Sequence, residues 1–143
     1  VLLTNASRAT KLWPDAHWHA VEHALAARGI SSVLFWGGGT EQTDTERRAR
    51  GMQRATVAAR CGLQQVAAVL AGAAVVVGLD TGLTHLAAAL GVPTVGIFCD
   101  YDPALVGITG DAPCVSLGGV SGGPTAEQVM DAVDRVMSTC RLG

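Results

Sequence analysis

The sequence predicts a doubly wound α/β domain, in which helices cover both faces of a parallel sheet. Short apolar runs rich in valine and leucine alternate along the chain with longer segments of helical periodicity. One run, 74–77, is apolar throughout, as in a strand buried on both faces. Parallel strands joined by right-handed helical crossovers bring their carboxyl ends to a common edge, and 143 residues suffice for one such domain.

Six strands are predicted, each an apolar run bounded by glycine, proline or polar residues. Their ranges are 1–4, 32–36, 55–58, 74–77, 94–98 and 113–117. A helix is predicted after every strand except the fifth, where the loop Cys99–Ala112 leads directly into the sixth strand.

Local signals define the helices. Pro14 suits the first turn of the first helix, Gly29 ends that helix, and Thr125 with Gln128 is a T-x-x-Q capping box for the last one. Glu41–Arg50 is expected to be a charged, weakly amphipathic helix. The predicted buried stripes are Trp18, Val21 and Leu25 in the first helix; Leu63, Val66, Ala67 and Leu70 in the third; Leu83, Leu86, Ala87 and Leu90 in the fourth; and Val129, Val133 and Val136 in the last.

The composition excludes several classes of partner. Apolar residues make up 49% of the chain and charged residues 15%, below the about 25% typical of soluble domains, so part of the surface is expected to face another domain or subunit. The net charge of -2, without a lysine or arginine cluster, argues against nucleic acid. No apolar run approaches the about 20 residues of a membrane span, and no signal-peptide pattern is visible.

The cysteines indicate the cellular compartment of the chain, and its first residue indicates whether it is part of a longer protein. Cys61, Cys99, Cys114 and Cys140 are scattered without a C-x-x-C pair, which favours reduced thiols in a cytosolic protein over a disulfide or metal framework. The chain begins at Val1, inside a strand-like segment, and is therefore expected to be part of a longer protein.

The main functional signal lies in Gly78–Pro93. Here a buried strand runs into the turn Asp80–Gly82 at the start of a helix, whose free N–H groups and positive dipole end form a ready anion site. Thr81 and His85 are four residues apart and share the side of the helix away from its apolar stripe. A simple capped turn is the alternative, but capping needs no histidine one turn later.

Two further loops leave the carboxyl ends of strands, where ligands bind in doubly wound sheets. The loop after the first strand offers the Lys11 ammonium and the Ser7 hydroxyl to a phosphate, although plain solvated surface is the usual setting of a lysine. All three polar loops are expected to converge on one crevice.

The loop after the second strand, Gly37–Gly39, lacks the spacing of a phosphate-binding loop and is better explained as a flexible connection. Glu41 or Glu46, which follow it, are candidates to bond a ribose hydroxyl pair. The alternative is a carboxylate that merely favours the first turn of its helix.

Two other constellations are weaker. His17, His19 and His23 share one helix, but without a third ligand nearby they are better explained as surface residues than as a metal site. Cys99 and Asp100 have no identifiable partner base, so a nucleophile there is rejected. No metal or cofactor is expected.

Taken together, these motifs resemble the carboxyl-terminal domain of the bacterial lipopolysaccharide heptosyltransferases, glycosyltransferase family 9. The matching segments are Ser7–Trp18, Trp36–Gly37 with Glu41, Asp80–Pro93, and Asp102–Pro103 followed by Gly107 and Gly110. The long D-T-G-L-x-H-L-A-A-A-L-G-x-P run is highly specific, and K-L-W-P-x-x-H-W is similar to type I rather than type II of the family. The resemblance covers nearly the whole chain and implies the Rossmann-like second half of a B-type glycosyltransferase fold.

The resemblance implies that the domain, 1–143, binds the donor ADP-L-glycero-D-manno-heptose. The implied donor-binding residues are Ser7 and Lys11 at the diphosphate, Thr81 and Gly82 at the same group through the helix N-terminus, Asp80 and His85 at the heptose, Glu41 at the ribose and Cys61 beside the adenine. Lys11 would also stabilise the ADP leaving group.

Other properties implied by the resemblance concern the whole enzyme. The acceptor is the Kdo residue of Kdo-lipid A in the lipopolysaccharide inner core. The catalytic base and the acceptor surface belong to an amino-terminal domain that this chain lacks, so the chain alone is expected to be inactive. A cytoplasmic location is expected, with peripheral contact at the inner face of the inner membrane as a further implication.

Two other functions are alternatives to this one. A standalone nucleotide-binding module without catalysis is favoured by the length of the chain, which holds one domain only. An NAD-dependent oxidoreductase is disfavoured, because no G-x-G-x-x-G fingerprint follows the first strand.

Overall fold

The structure, a computed structural model, describes residues 1–100, 107–119 and 122–141. Its strands are β1 (Leu2–Leu3), β2 (Ser32–Leu34), β3 (Ala55–Val57), β4 (Val76–Leu79), β5 (Thr94–Phe98) and β6 (Cys114–Gly118). They form one sheet in the order β3-β2-β1-β4-β5-β6, and every neighbouring pair is parallel. The predicted doubly wound class is thus confirmed, with the strand order reversing between β1 and β4.

Helices cover both faces of the sheet. They are α1 (Asp15–Ala27), α2 (Glu41–Ala49), α3 (Leu63–Ala71), α4 (Gly82–Ala89) and α5 (Ala126–Arg141), and a 3-10 turn spans Ala9–Lys11. One apolar cluster joins α1 and α5 to one face, through Trp18 and Val133 among others. A second cluster joins α3 and α4 to the opposite face, through Leu70 and Ala87.

The local signals for the first and last helices are confirmed. Trp18, Val21 and Leu25 are buried, and Gly29 ends α1 with a φ of 77°, a left-handed conformation that favours glycine. At the start of α5, Thr125 N donates to Gln128 Oε1 at 2.8 Å, and Gln128 N donates to Thr125 Oγ1 at 3.1 Å. These are the two reciprocal bonds of a capping box.

The predicted position of the fourth strand was wrong by two residues. The strand is Val76–Leu79, and all four of its residues are buried, whereas Ala74 is exposed. Val76 pairs with Thr94 and Leu79 with Ile97, so the register with β5 carries the strand through Gly78. A glycine is unfavourable in an isolated strand, but here it is retained by pairing and close packing.

Two predicted helix stripes were also wrong in part. Leu63 has 68% of its surface exposed, while Val66 and Leu70 of the same predicted stripe are buried. In α4 the buried face consists of Thr84, Ala87 and Ala88 rather than the leucines. Leu83 and Leu86 are half-buried, and Leu90 is exposed.

Gly78 explains why α4 presents small side chains to the sheet. A Cβ atom on Gly78 would lie 2.3 Å from Thr84 Oγ1 and 3.0 Å from Leu3 Cβ, so only glycine permits this approach. The Thr84 hydroxyl then donates to the Leu79 carbonyl at 2.5 Å. This contact places the first turn of α4 directly over the end of β4.

Gly78→Ala should therefore destabilise the fold. Because the added methyl group must displace Thr84 or Leu3, the free energy of unfolding should fall by about 1–3 kcal/mol, as for other overpacked core positions. Urea denaturation followed by circular dichroism measures it. The control is Gly38→Ala, since no atom lies within 4 Å of the Cβ position there. That change should leave stability unchanged or raise it by up to about 1 kcal/mol. Equal losses in the two variants would contradict the close-packing explanation.

Candidate functional site

A cleft of about 830 Å³ opens at the carboxyl ends of β1 and β4, where the strand order reverses. The three polar loops that were expected to converge meet here: Asn5–Lys11, Gly37–Glu41 and Asp80–Gly82. Seven of the eight predicted donor-binding residues line the cleft, namely Ser7, Lys11, Glu41, Cys61, Asp80, Thr81 and Gly82. The eighth, His85, lies beside Asp80.

An ion pair crosses the cleft between the loops that follow β1 and β4. Lys11 Nζ donates to Asp80 Oδ2 at 3.1 Å and to the Asp80 carbonyl at 3.2 Å, and the two side chains are only 18% and 17% exposed. His85 Nε2 lies 3.4 Å from the other carboxylate oxygen of Asp80. An ammonium has three N–H groups, so Lys11 keeps one donor free for an anion while Asp80 holds it in place.

The first turn of α4 presents backbone N–H groups to the same space, and among the described residues these groups have no hydrogen-bond partner. Thr81 is the N-cap residue, with φ -143° and ψ 166°, yet its hydroxyl makes no capping bond and lies 3.4 Å from Thr84 Oγ1. The first intrahelical bond is donated by His85 N to the Thr81 carbonyl, at 3.2 Å. At Gly82 no atom lies within 4 Å of the Cβ position, so a ligand can approach the backbone there. These donors and the helix dipole favour an anion.

Glu41 bounds the cleft on the β2 side. Its Oε2 accepts from Gly37 N at 2.7 Å, which fixes the carboxylate at the start of α2. This bond is consistent with the alternative to ribose binding, a carboxylate that favours the first turn of its helix. It occupies only one carboxylate oxygen, however, and leaves the other for a ligand. Glu46 is exposed and accepts from Gln42 Nε2 at 3.2 Å, and it does not line the cleft. Of the two candidate carboxylates, only Glu41 is placed for a role in the cleft.

One wall of the cleft is apolar, and the sequence reasoning missed most of it. Phe35, Leu63, Val66, Leu83 and Leu86 line the cleft beside Cys61. Because these leucines recur with helical periodicity, they were predicted to pack against the sheet rather than to line a cleft. A usable signal was their position: Leu63 and Leu83 each lie in the first helical turn after a loop that leaves the carboxyl end of a strand.

Trp36, which lies in one of the segments that resemble the family, also lines this cleft. Its indole Nε1 donates to the Ala58 carbonyl at 2.9 Å, which ties the end of β2 to the end of β3. Cys61 Sγ lies 3.0 Å from the Ala59 carbonyl, two residues earlier in the loop between β3 and α3. The rim beside the apolar wall is thus held by backbone-directed bonds.

The residues rejected as a metal site have separate structural roles. His19 Nε2 lies 2.9 Å from the Arg48 carbonyl, His23 Nε2 lies 2.9 Å from the Gly51 carbonyl, and His17 stacks on Trp13 with ring centroids 5.0 Å apart. Within the described ranges, no group of three or more His, Cys, Asp or Glu residues is placed to hold a metal ion.

The thiols of Cys99 and Cys114 have raised pKa values. Burial is the main cause for both, and the neighbouring Asp100 carboxylate adds to the effect at Cys99. A raised pKa lowers the thiolate fraction at neutral pH, which argues against a nucleophilic Cys99. Asp102–Pro103, part of the resemblance, lies outside the described residues.

The family model described as "Glycosyltransferase family 9 (heptosyltransferase)" matches residues 1–129. Lipopolysaccharide heptosyltransferase 1 of Pseudomonas aeruginosa is 40% identical over 122 residues, which is 80% of this chain and 34% of the relative. The structure of E. coli heptosyltransferase WaaC with ADP superposes with a TM-score of 0.84 at 35% identity, covering 94% of this chain and 42% of that one. WaaC with ADP-2-deoxy-2-fluoro heptose gives a TM-score of 0.82 at 33% identity over the same shares.

The chain spans about a third of the length of the curated relatives that it matches. A further E. coli protein, ADP-heptose lps heptosyltransferase II, is 19% identical with a TM-score of 0.85 and shows the shared fold alone. Across the described ranges, no helix is both long and apolar enough to cross a membrane.

The Lys11–Asp80 pair should be energetically coupled more strongly than an exposed pair. A double-mutant cycle with Lys11→Met and Asp80→Asn should give a coupling of about 1–2 kcal/mol in urea denaturation, because both groups are partly withdrawn from water. The matched control is Arg28–Asp134, between α1 and α5, whose side chains are 42% and 51% exposed. Its cycle with Arg28→Met and Asp134→Asn should give about 0.5 kcal/mol or less. Equal couplings would show that Asp80 does not hold Lys11 in solution.

Proposed function

This chain belongs to glycosyltransferase family 9, the heptosyltransferases, and from that premise we propose that it forms the donor-binding half of an ADP-heptose:lipopolysaccharide heptosyltransferase. The observation that carries the proposal is the composition of one cleft at the strand-order reversal. It combines a lysine, an uncapped helix N-terminus, two carboxylates and an apolar wall. These features match the successive parts of a nucleotide sugar.

The diphosphate of the donor lies, in this proposal, between Lys11 and the first turn of α4. Lys11 supplies a positive charge, and the backbone N–H groups at Gly82 supply directional donors. The hydroxyls of Ser7 and Thr81, on the two facing loops, add neutral donors. The Lys11–Asp80 bonds of 3.1 and 3.2 Å support this arrangement, because they hold the ammonium at the helix end before any ligand arrives.

The ribose, the adenine and the heptose of the donor are assigned, in this proposal, to the other groups of the cleft. Glu41 accepts from the ribose hydroxyls, and the adenine packs on the apolar wall between Cys61 and Leu83. Asp80 and His85 accept and donate hydrogen bonds at the heptose hydroxyls.

Catalysis requires groups beyond this cleft. In the complete enzyme, a base from a further domain would remove a proton from a hydroxyl of the acceptor, the Kdo of the lipopolysaccharide inner core. The acceptor oxygen would then attack the anomeric carbon as the bond to the ADP oxygen breaks. Lys11 and the α4 dipole would stabilise the negative charge that develops on the departing diphosphate. This chain alone would bind the donor but would not catalyse transfer. We place the protein in the cytoplasm.

A second function, a nucleotide-binding module without catalysis, is supported by the same groups, all of which suit binding. Turnover separates the two possibilities. The protein that contains this domain should transfer heptose from ADP-heptose to a Kdo-bearing acceptor, and a protein that binds ADP-heptose but never transfers would favour the module.

Lys11→Met should weaken ADP binding to this chain while it leaves adenosine binding unchanged. Loss of a charge-assisted bond to phosphate predicts a decrease of about tenfold or more in affinity, measured by isothermal titration calorimetry. Arg28→Met, at the exposed residue that follows α1, is the control for loss of a positive charge. An unchanged ADP affinity in Lys11→Met would remove Lys11 from the site.

Glu41→Gln should weaken ADP binding mainly through the ribose. Glutamine still accepts a bond from Gly37 but offers a weaker, uncharged acceptor to the hydroxyls, so the affinity should fall about three- to tenfold. With 2′-deoxy-ADP the wild type and the variant should differ less, because one of the two hydroxyls is missing. An equal loss for ADP and 2′-deoxy-ADP would indicate that Glu41 does not contact that hydroxyl.

A further inference from the structure

Helix α2, which begins with the proposed ribose ligand, lacks an apolar face. Its nine residues, EQTDTERRA, contain one apolar side chain, Ala49, and the two buried positions are Thr45 and Arg48, at 0% and 5% exposure. Most helices are fixed by burying an apolar stripe. The position of α2 depends instead on the polar contacts of these two residues.

Thr45 is hydrogen-bonded to Asn5, which lies in the loop just after β1. Asn5 Nδ2 donates to Thr45 Oγ1 at 2.8 Å and to the Phe35 carbonyl at 3.0 Å. A carbonyl only accepts, so the amide nitrogen must face Phe35, and the orientation of the Asn5 amide is determined. Phe35 and Thr45 bracket the segment 36–44, which contains Glu41. One amide group therefore holds both ends of the β2–α2 connection.

Arg48 makes a parallel link one turn further along α2. Its Nη1 donates to Thr4 Oγ1 at 2.8 Å, and its Nε donates to Asp15 Oδ1 at 2.8 Å. Burial alone would raise the pKa of Asp15, but its hydrogen bonds and charge interactions with Arg48 and Arg47 lower it overall. Asp15 is therefore ionised at neutral pH and holds Arg48 in place. Two consecutive residues leaving β1, Thr4 and Asn5, thus fix two residues three apart on α2.

We propose that Asn5 and Thr45 are positioning residues of the nucleotide site, which set the distance between the ribose carboxylate and the diphosphate groups. Asn5 opens the loop that carries Ser7 and Lys11, and Thr45 lies one helical turn after Glu41. The Asn5–Thr45 bond therefore joins the two halves of the cleft, which Asn5 itself lines. This inference rests on the proposed function, because it assumes a ligand that spans both halves.

A ligand that bridges two groups gains affinity when their spacing is set in advance, whereas a ligand that touches one group gains nothing. ADP contacts both halves of the proposed site, adenosine the Glu41 half and pyrophosphate the Lys11 half. Loss of the Asn5–Thr45 bond should therefore weaken ADP binding and spare the two fragments. A residue that merely supported folding would affect all three ligands alike.

Thr45→Val is the decisive variant, because it removes the hydroxyl with little change of shape at a residue too buried to touch a ligand. By calorimetry on this chain, ADP affinity should fall about tenfold, while adenosine and pyrophosphate affinities change less than about twofold. Asn5→Ala, which also removes the bond to the Phe35 carbonyl, should lower ADP affinity at least as much. The double variant should bind no more weakly than Asn5→Ala, since both single variants break the same Asn5–Thr45 bond. Thr45→Ser restores the hydroxyl and should restore ADP affinity. Thr43→Val, at an exposed position of the same helix, is the matched control.

A second measurement does not involve a ligand. In Thr45→Val, amide hydrogen exchange of 37–45 should accelerate about tenfold or more, with β4 and α1 unchanged, because only the clamped segment gains freedom. Unchanged exchange in 37–45, or equal losses for ADP and both fragments, overturns the positioning role while the proposed function stands. If the wild type binds neither ADP nor ADP-heptose, the proposed function fails and the nucleotide role of Asn5 and Thr45 fails with it.

Discussion

The pairing of β1 with β4 is the constraint on which the site depends. These strands are neighbours in the sheet although their first paired positions, Leu2 and Val77, are 75 residues apart, and the chain leaves them toward opposite faces, into α1 and α4. The two departing segments diverge and leave a cleft that the remaining loops can only border. The Lys11–Asp80 pair bridges the line where they part. Sheet order, rather than any single loop, thus brings these groups together.

The cleft is chemically divided into a polar half and an apolar half. The polar half presents the Lys11 ammonium and the backbone donors at Gly82, and the apolar half presents Leu63 of α3 and Leu83 and Leu86 of α4. The polar half is organised before a ligand binds, since Asp80 already holds Lys11 and the Thr84 hydroxyl is committed to the Leu79 carbonyl. A ligand that is anionic at one end and flat and apolar at the other fits this division, which is why a nucleotide diphosphate is the proposed occupant.

The sequence predicted the features that depend on local pattern. It did not predict those that depend on how closely a helix packs against the sheet. The stripe of α1 and the capping box at Thr125 follow from residues within a few positions of each other, and both are present. The buried face of α4 could not be predicted, because it depends on how closely Gly78 lets the helix approach β4. The exposure of Leu63 has a similar cause: helical periodicity defines a face, but not whether the sheet extends under its first turn. The fold class survived these errors because it rests on the order of the elements.

The docking of α2 has a different physical basis from that of the other helices. Hydrophobic burial is nearly non-directional, so an apolar stripe tolerates small slides and rotations of a helix. Hydrogen bonds lose strength steeply with angle, so the two bonds to Thr45 and Arg48, three residues apart, determine both the axial position and the rotation of α2. The cost of this arrangement is that it offers little stabilisation beyond geometry, because each bond replaces one made to water. In the proposed site, α2 presents the Glu41 carboxylate at a fixed distance from the diphosphate groups, and that role depends on geometry more than on stability.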